Sequence, residues 1–159
     1  MDKVMFLDLD GVLINPFPAW KPDVEDRDGY ARFNPECTAH LRTLLEAYPA
    51  LKIVISSSRR VGKSLEELEA IFAFRGIENK IIDKTPEPGG HYLSRAEEIT
   101  QYIEQQGLHH FLILDDDRSL LKLPKAYAPY LILTEYRAGF DEACLEKAIG
   151  IVEGWKDKT

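Results

Sequence analysis

Two acidic motifs follow apolar runs in this sequence, and together they place several carboxylates at predicted strand ends. In VMFLDLDGVL, Asp8 and Asp10 interrupt an apolar run and are followed by Gly11. In FLILDDD, an apolar run ends in Asp115 and Asp116, with a third acid after them. Two carboxylates about 4 Å apart repel by about 4 kcal/mol at an effective dielectric constant of about 20. A hard cation with oxygen ligands, Mg²⁺ before Ca²⁺, is the simplest reason for this layout.

The elements that must position these acids are short apolar runs alternating with amphipathic segments. Near-continuous Val, Ile, Leu and Phe without alternation is typical of parallel strands covered by helices on both faces. Asn34 before Pro35 indicates one helix start, and Ser64 and Ser94, each followed by Glu three residues later, indicate two more. The predicted strands are 3–8, 52–56, 79–83, 110–114 continuing into Asp115, and 130–134, and a last helix is predicted over about 141–152.

This alternation predicts a three-layer Rossmann-like α/β fold, an open sheet of about five parallel strands flanked by helices. Ligands bind such sheets beyond the carboxyl ends of the strands. Asp8, Ser56 and Asp115 each end a predicted strand. If those strands are neighbours, the three side chains face one crevice. We expect Asp117 to be structural, as a helix cap rather than a metal ligand.

Four motifs in this order resemble those of the haloacid dehalogenase (HAD) superfamily of phosphohydrolases. FLDLDGVL resembles its first motif, KIVISSS its second, and FLILDDD its fourth, while Arg95 stands where the third motif has Lys or Arg. The resemblance implies a phosphatase in which Asp8 attacks phosphorus. It also implies that the Asp10 backbone carbonyl and the carboxylates of Asp8 and Asp115 or Asp116 hold Mg²⁺. Asp10 would first protonate the leaving oxygen and then deprotonate the hydrolytic water.

The resemblance also implies two residues that contact the phosphoryl group. Ser56 would hydrogen-bond to it, with Ser57 as the alternative if the strand ends one residue later. Arg95 would neutralise it, with Lys84 as a competitor for this role. Gly11 is expected beside the substrate, since a residue without Cβ lets the chain turn sharply where phosphate docks.

A narrower resemblance is to capless members, especially the HAD domain of Swiss Army knife RNA-repair proteins. It is carried by SSSRR after the second strand, by TPEPGG and SRAEEI before the third motif, and by the LDDD ending. The usual pattern has Trp before Arg, and Arg59 stands at that place here. Arg59 and Arg60, with Lys63, are candidates for a basic rim that binds substrate, and a solvated loop is the equal alternative. Neither segment between motifs, 12–51 or 61–94, has room for a folded cap.

Bulk composition fits a single soluble domain over 1–159. The 159 residues are 45% hydrophobic and 30% charged, which is ordinary for a globular chain. A net charge of −7 does not support nucleic-acid binding, although it leaves room for a local basic patch. Two distant cysteines, no signal-peptide layout and no membrane-length apolar stretch predict a cytoplasmic protein.

One irregular segment follows the first motif, and two functions other than a phosphatase are left as alternatives. The segment 12–33 is predicted to be flap-like, and its aromatic residues, Phe17, Trp20, Tyr30 and Phe33, either stack on a base or pack on the flank of the domain. The open site predicts a large phosphorylated substrate, such as a nucleic-acid end or a phosphoprotein, or else a partner chain that covers the site. The alternatives are a non-catalytic HAD-like binding or regulatory module and a phosphoacceptor receiver domain, although the later strand ends lack the Thr and Lys that a receiver needs.

Overall fold

Five parallel strands form a single sheet in this computed structural model, which describes residues 3–16, 24–89 and 92–155. The order is β3-β2-β1-β4-β5, so that β1 lies at the centre between β2 and β4. This confirms the predicted open α/β sheet. The strands are β1 (Lys3–Leu7), β2 (Lys52–Ile55), β3 (Ile81–Lys84), β4 (His110–Asp115) and β5 (Leu131–Leu133).

Four helices of the described chain cover the sheet, and their starts follow the predicted caps. Asn34 caps the first helix, and Ser64 and Ser94 form complete capping boxes with Glu67 and Glu97. Gly107 ends the third helix in a left-handed conformation at φ +62°. The helices are α1 (Pro35–Ala47), α2 (Leu65–Phe74), α3 (Arg95–Gln106) and α4 (Glu142–Trp155), with 3-10 turns at Ser58–Arg60, Arg118–Lys122 and Ala128–Tyr130.

Two hydrophobic layers enclose the sheet, which explains why the strands lack an alternating pattern. Met5 and Leu7 of β1 belong to one layer, together with residues of α1, α2 and α4. Val4 and Phe6 belong to the other, which contains α3. Since all four side chains are fully buried, β1 is a rigid central support for the residues that follow it.

The strand and helix bounds differ most from prediction at β3 and α4. β3 begins at Ile81 rather than 79, because Asn79 adopts a left-handed φ of 60° in the turn after α2. α4 extends to Trp155, three residues further than predicted. Trp155 is buried and its ring stacks on His110 at the start of β4, which favours the extra turn.

Within the described residues, the connections between strands and helices are loops rather than a folded cap domain, as predicted. Phe33 is buried and packs edge-on against Phe72 of α2, with ring centroids 5.3 Å apart. This side chain therefore packs on the flank of the domain. Phe17 and Trp20 lie outside the described residues. Among the helices of the described chain, none has the length and apolarity needed to cross a bilayer.

Candidate active site

Three carboxylates meet at the carboxyl end of the central strand pair. Leu7 of β1 pairs with Leu114 of β4, so that Asp8 and Asp115 follow at the same level of the sheet. The Asp8 amide donates to the Leu114 carbonyl oxygen at 3.0 Å. Asp8, Asp115 and Asp116 each offer an oxygen, and these three atoms lie within 4.8 Å of one another. We refer to these three residues as the acidic cluster.

One guanidinium partly neutralises the acidic cluster. Nη1 of Arg95, at the start of α3, lies 2.6 Å from Oδ2 of Asp115 and 3.5 Å from Oδ1 of Asp8. Three ionised carboxylates and one guanidinium leave a net charge of −2, which a single divalent cation would balance. Lys84, the competitor for this place, instead donates to the Arg60 and Lys63 carbonyl oxygens.

The pKa values of the cluster reflect burial and mutual repulsion. Burial, reinforced by the charge of Asp115 and opposed by Arg95, raises the pKa of Asp8 to about 7. Burial and the charge of Asp8 raise the pKa of Asp116 to about 6. The pKa of Asp115 is also raised by burial, although Arg95 opposes the shift. The cluster thus carries the electrostatic signature of a cation site, and an all-oxygen donor set suits Mg²⁺.

Gly11 is required by the packing of the acidic cluster. Its φ is +80°, and a Cβ at this position would lie 2.1 Å from Oδ2 of Asp116. Its amide donates to the Ile14 carbonyl oxygen and its carbonyl accepts from the Thr134 hydroxyl at 2.7 Å. Gly11 was predicted to bind substrate, but its amide is already used within the turn. Its observed role is to leave room for Asp116.

The two serines that end β2 have different environments. The Ser57 hydroxyl caps the 3-10 turn by accepting from the Arg59 amide at 3.1 Å. The Ser56 hydroxyl is buried and has no hydrogen-bond partner within the described residues. An unpaired buried hydroxyl costs about 1–3 kcal/mol, which a ligand oxygen would recover. Ser56 is therefore the better candidate for a phosphoryl contact, and Ser57 has a structural partner.

Asp10 lies apart from the acidic cluster in a bidentate ion pair. Nε of Arg59 lies 2.7 Å from Oδ2 of Asp10, and Nη2 lies 2.9 Å from Oδ1. Both carboxylate oxygens of Asp10 are therefore engaged by one guanidinium. The predicted metal ligand at Asp10 is its backbone carbonyl, and that prediction is independent of this side-chain contact.

Arg60 points inward, so we do not retain it as a substrate-binding residue. It is 2% exposed, and its guanidinium donates to the Thr85 carbonyl oxygen at 2.8 Å and to Glu98 at 2.5 Å. It also donates to the Ser57 and Pro86 carbonyl oxygens. These contacts anchor the loop after β2 against α3. Arg59 and Arg60 therefore have different roles although they are adjacent.

Three further residues complete the surroundings of the site. Asp117 caps the 3-10 turn after β4 by accepting from the Ser119 amide at 2.8 Å, as expected of a structural acid. Thr134, at the end of β5, bonds to the Gly11 turn, and Glu98 lies between Arg60 and Arg95. The sequence analysis missed Thr134 and Glu98 as site residues. Thr134 could have been found as the polar residue after an apolar strand, whereas the position of Glu98 gave no such signal.

Comparison with protein families identifies a match over most of the chain. The model of a family described as the HAD domain in Swiss Army Knife RNA repair proteins matches residues 4–145. The match covers most of the chain and includes every residue of the acidic cluster as well as Arg95. No curated protein matches this sequence.

Proposed function

Because this chain belongs to the family of HAD domains found in Swiss Army Knife RNA repair proteins, which is of the phosphohydrolase type, we propose that it is a Mg²⁺-dependent phosphatase. The observation that carries the proposal is the acidic cluster, in which three carboxylates meet and only the guanidinium of Arg95 opposes their charge among the described residues. Mg²⁺ would be held by Asp8, Asp115 or Asp116 and the Asp10 carbonyl. The ion would supply the positive charge that lets a carboxylate approach an anionic phosphate.

In the proposed reaction, the carboxylate of Asp8 attacks phosphorus and the bond from phosphorus to the leaving oxygen breaks. Asp10, which takes a proton from solvent once it has left Arg59, gives this proton to that oxygen, which leaves as an alcohol. Water then attacks the aspartyl-phosphate, Asp10 takes a proton from this water, and inorganic phosphate departs with Asp8 restored. Asp10 therefore has to leave Arg59 during turnover.

Ser56 and Arg95 are the proposed contacts to the phosphoryl group. Ser56 would donate its unpaired hydroxyl to a phosphoryl oxygen, because this hydroxyl has no partner among the described residues. Arg95 already spans Asp8 and Asp115, so a phosphoryl group at Asp8 would lie against the same guanidinium. Both contacts would strengthen as charge develops in the transition state.

The proposed substrate is a phosphorylated nucleic-acid end. The family description refers to RNA repair, and the capless site leaves space for a large substrate. The test is release of phosphate from an aryl phosphate and from oligonucleotides with 3′ or 5′ phosphates, with Mg²⁺ and with chelator. We expect phosphate to be released when Mg²⁺ is present and not when chelator removes it. Mg²⁺ binding by the wild-type chain without release from any compound would favour the non-catalytic module instead.

A further inference from the structure

The loop after β2 carries positive charge beside the Asp10–Arg59 ion pair. Residues 56–64 contain three basic side chains and no acid, in a chain of net charge −7. Arg60 is buried and paired with Glu98, so Arg59 and Lys63 supply the outward charge of this loop. Lys63 makes no ion pair with any residue in the ranges 3–16, 24–89 and 92–155. The outward side of this loop therefore carries two cations beside the carboxylate of Asp10.

Tyr30 brings the two outward cations together. The Arg59 Cζ and the Lys63 Nζ each lie 5.7 Å from the centroid of the Tyr30 ring. The Tyr30 hydroxyl is buried and makes no hydrogen bond within the described chain. Arg75 Cζ lies at the same 5.7 Å from this ring, but its guanidinium is buried and paired with Asp28, so Arg59 and Lys63 are the cations here that could reach an anion. This grouping is suited to receive an anion, and the carboxylate of Asp10 already pairs with it through Arg59.

We propose that Arg59, Lys63 and Tyr30 form a subsite for a second phosphate group of the substrate, and that Arg59 exchanges Asp10 for this group when substrate binds. The inference rests on the proposed phosphatase function. The guanidinium fork fits phosphate as well as carboxylate, so the bidentate contact to Asp10 has a direct replacement. The exchange also releases the carboxyl group of Asp10, which has to reach the leaving oxygen in order to protonate it. The preferred substrates are phosphate monoesters that carry another phosphate, as a nucleotide strand does.

The test compares substrates that differ only in the second phosphate. Phosphate release is measured from nucleoside 3′-monophosphate, 5′-monophosphate and 3′,5′-bisphosphate, and from a dinucleotide with a terminal phosphate. We expect kcat/KM to be at least about tenfold higher for the bisphosphate or the dinucleotide than for the better monophosphate. A preference for the dinucleotide assigns the subsite to a strand, and a preference for the bisphosphate assigns it to a small molecule.

Variants of the subsite should reduce this preference. Arg59→Gln and Lys63→Gln are expected to lower the ratio of the two kcat/KM values towards one. Lys122→Gln, in the loop after β4, is the control, since Lys122 is exposed and takes no part in the subsite; its ratio should stay at the wild-type value. A wild-type chain without a preference, or an unchanged ratio in both subsite variants, would overturn the proposal.

A binding measurement separates failure of the subsite from failure of the phosphatase function. Titration calorimetry with Asp8→Asn measures affinity for the monophosphates and the bisphosphate without turnover. Tighter binding of the bisphosphate, lost when Arg59→Gln is added, would support the subsite even if no compound is hydrolysed. Equal affinities would refute the subsite even in an active phosphatase.

Discussion

The acidic cluster and the contacts of Arg75 both bury charge, and they neutralise it to different degrees. We call the second region the Arg75 network: Arg75 at the end of α2, Asp28, and the carbonyl groups of Ile71 and Ala31. Nη1 of Arg75 lies 2.6 Å from Oδ2 of Asp28, and Nη2 donates to Oδ1 at 3.0 Å. The guanidinium also donates to the Ile71 and Ala31 carbonyl oxygens, and it lies 4.5 Å from the Phe33 ring centroid.

Aspartate pKa values report the contrast between the regions. The hydrogen bonds from Arg75 lower the pKa of Asp28, whereas burial and the charge of Asp115 raise the pKa of Asp8 to about 7. The Arg75 network therefore contains its own counter-charge and fastens the loop after β1 to α2. The acidic cluster has one guanidinium for three carboxylates, so its negative charge is only partly balanced within the described residues. Buried charge that is balanced internally indicates a structural role, and buried charge that is not balanced indicates a ligand.

The sharpest test of this contrast is Asp8→Asn, and it has the largest expected effect. An amide is a poor nucleophile and a poor metal ligand, so phosphatase activity should fall by at least about a thousandfold. Steady-state kinetics with an aryl phosphate measures the loss. Asp117→Asn is the matched control, because Asp117 caps a turn in the same acidic triplet and should retain most activity. Equal losses in the two variants would contradict the assignment of roles.

The corresponding change in the other region is Arg75→Met. The side chain of Arg75 is 4% exposed, so its loss leaves buried carbonyl oxygens and Asp28 without their donor. We expect the free energy of unfolding to fall by about 3 kcal/mol, mainly because the carbonyl oxygens of buried Ile71 and Ala31 lose their donor, whereas exposed Asp28 can turn to water. Urea denaturation measures this change, and Arg75→Lys should lie between the variant and the wild type because it keeps the charge without the fork. Activity of the folded protein should change little compared with Asp8→Asn.

The sequence predicted elements better than it predicted the partners of individual side chains. The two capping boxes and the central strand depend on residues within a few positions of one another, so their signals are local. Arg59 and Arg60 show where prediction of side-chain partners from the sequence fails. Adjacent and identical, they are directed by one 3-10 turn to Asp10 and to Glu98, which lie 49 and 38 positions away. A choice between partners at that separation depends on the assembled fold.

The candidate site could be predicted from the sequence about as well as the strands that carry it. Asp8, Ser56 and Asp115 each follow an apolar run, and strand ends meet at one edge of a parallel sheet. The Arg75 network had no such signal, since Arg75 was one basic residue at the end of a helix. The requirement for Gly11 was predicted, but its cause was not. The close contact with Asp116 arises only when two strand ends about 100 residues apart are brought together.

A third prediction concerns pH and metal. The pKa of Asp8 is raised from 3.8 to about 7, so between these pH values the native state binds more protons than the unfolded state. The contribution of the acidic cluster to metal-free stability should therefore fall as pH rises from about 4 to about 7, by up to about 4 kcal/mol for a shift of about three pKa units. Thermal denaturation across this range with chelator measures the fall. Mg²⁺ should oppose the loss, and Asp8→Asn should flatten the profile and raise metal-free stability at neutral pH.

In the Arg75 network, the dependence of stability on pH has the opposite sign. Because the pKa of Asp28 is lowered, its contribution is present above the unfolded-state value and is lost as pH falls through the native-state value. Asp28→Asn should therefore destabilise the protein at neutral pH and have little effect at strongly acidic pH. A metal-free profile of Asp8→Asn that falls as steeply as the wild type would show that the acidic cluster is not the source of the pH dependence.

The smallest expected effect comes from two glycines with the same backbone conformation, one in each region. Gly11 has φ +80° beside Asp116, and Gly29 has φ +81° beside Asp28, where an added Cβ would meet nothing within 4 Å. Alanine at either site should cost about 1 kcal/mol of stability from backbone strain. Only Gly11→Ala should also displace the Asp116 carboxylate, lowering Mg²⁺ affinity by about tenfold in calorimetric titration. Since Gly29→Ala carries the same strain without that contact, an equal loss of affinity in both variants would trace the effect to the backbone rather than to the acidic cluster.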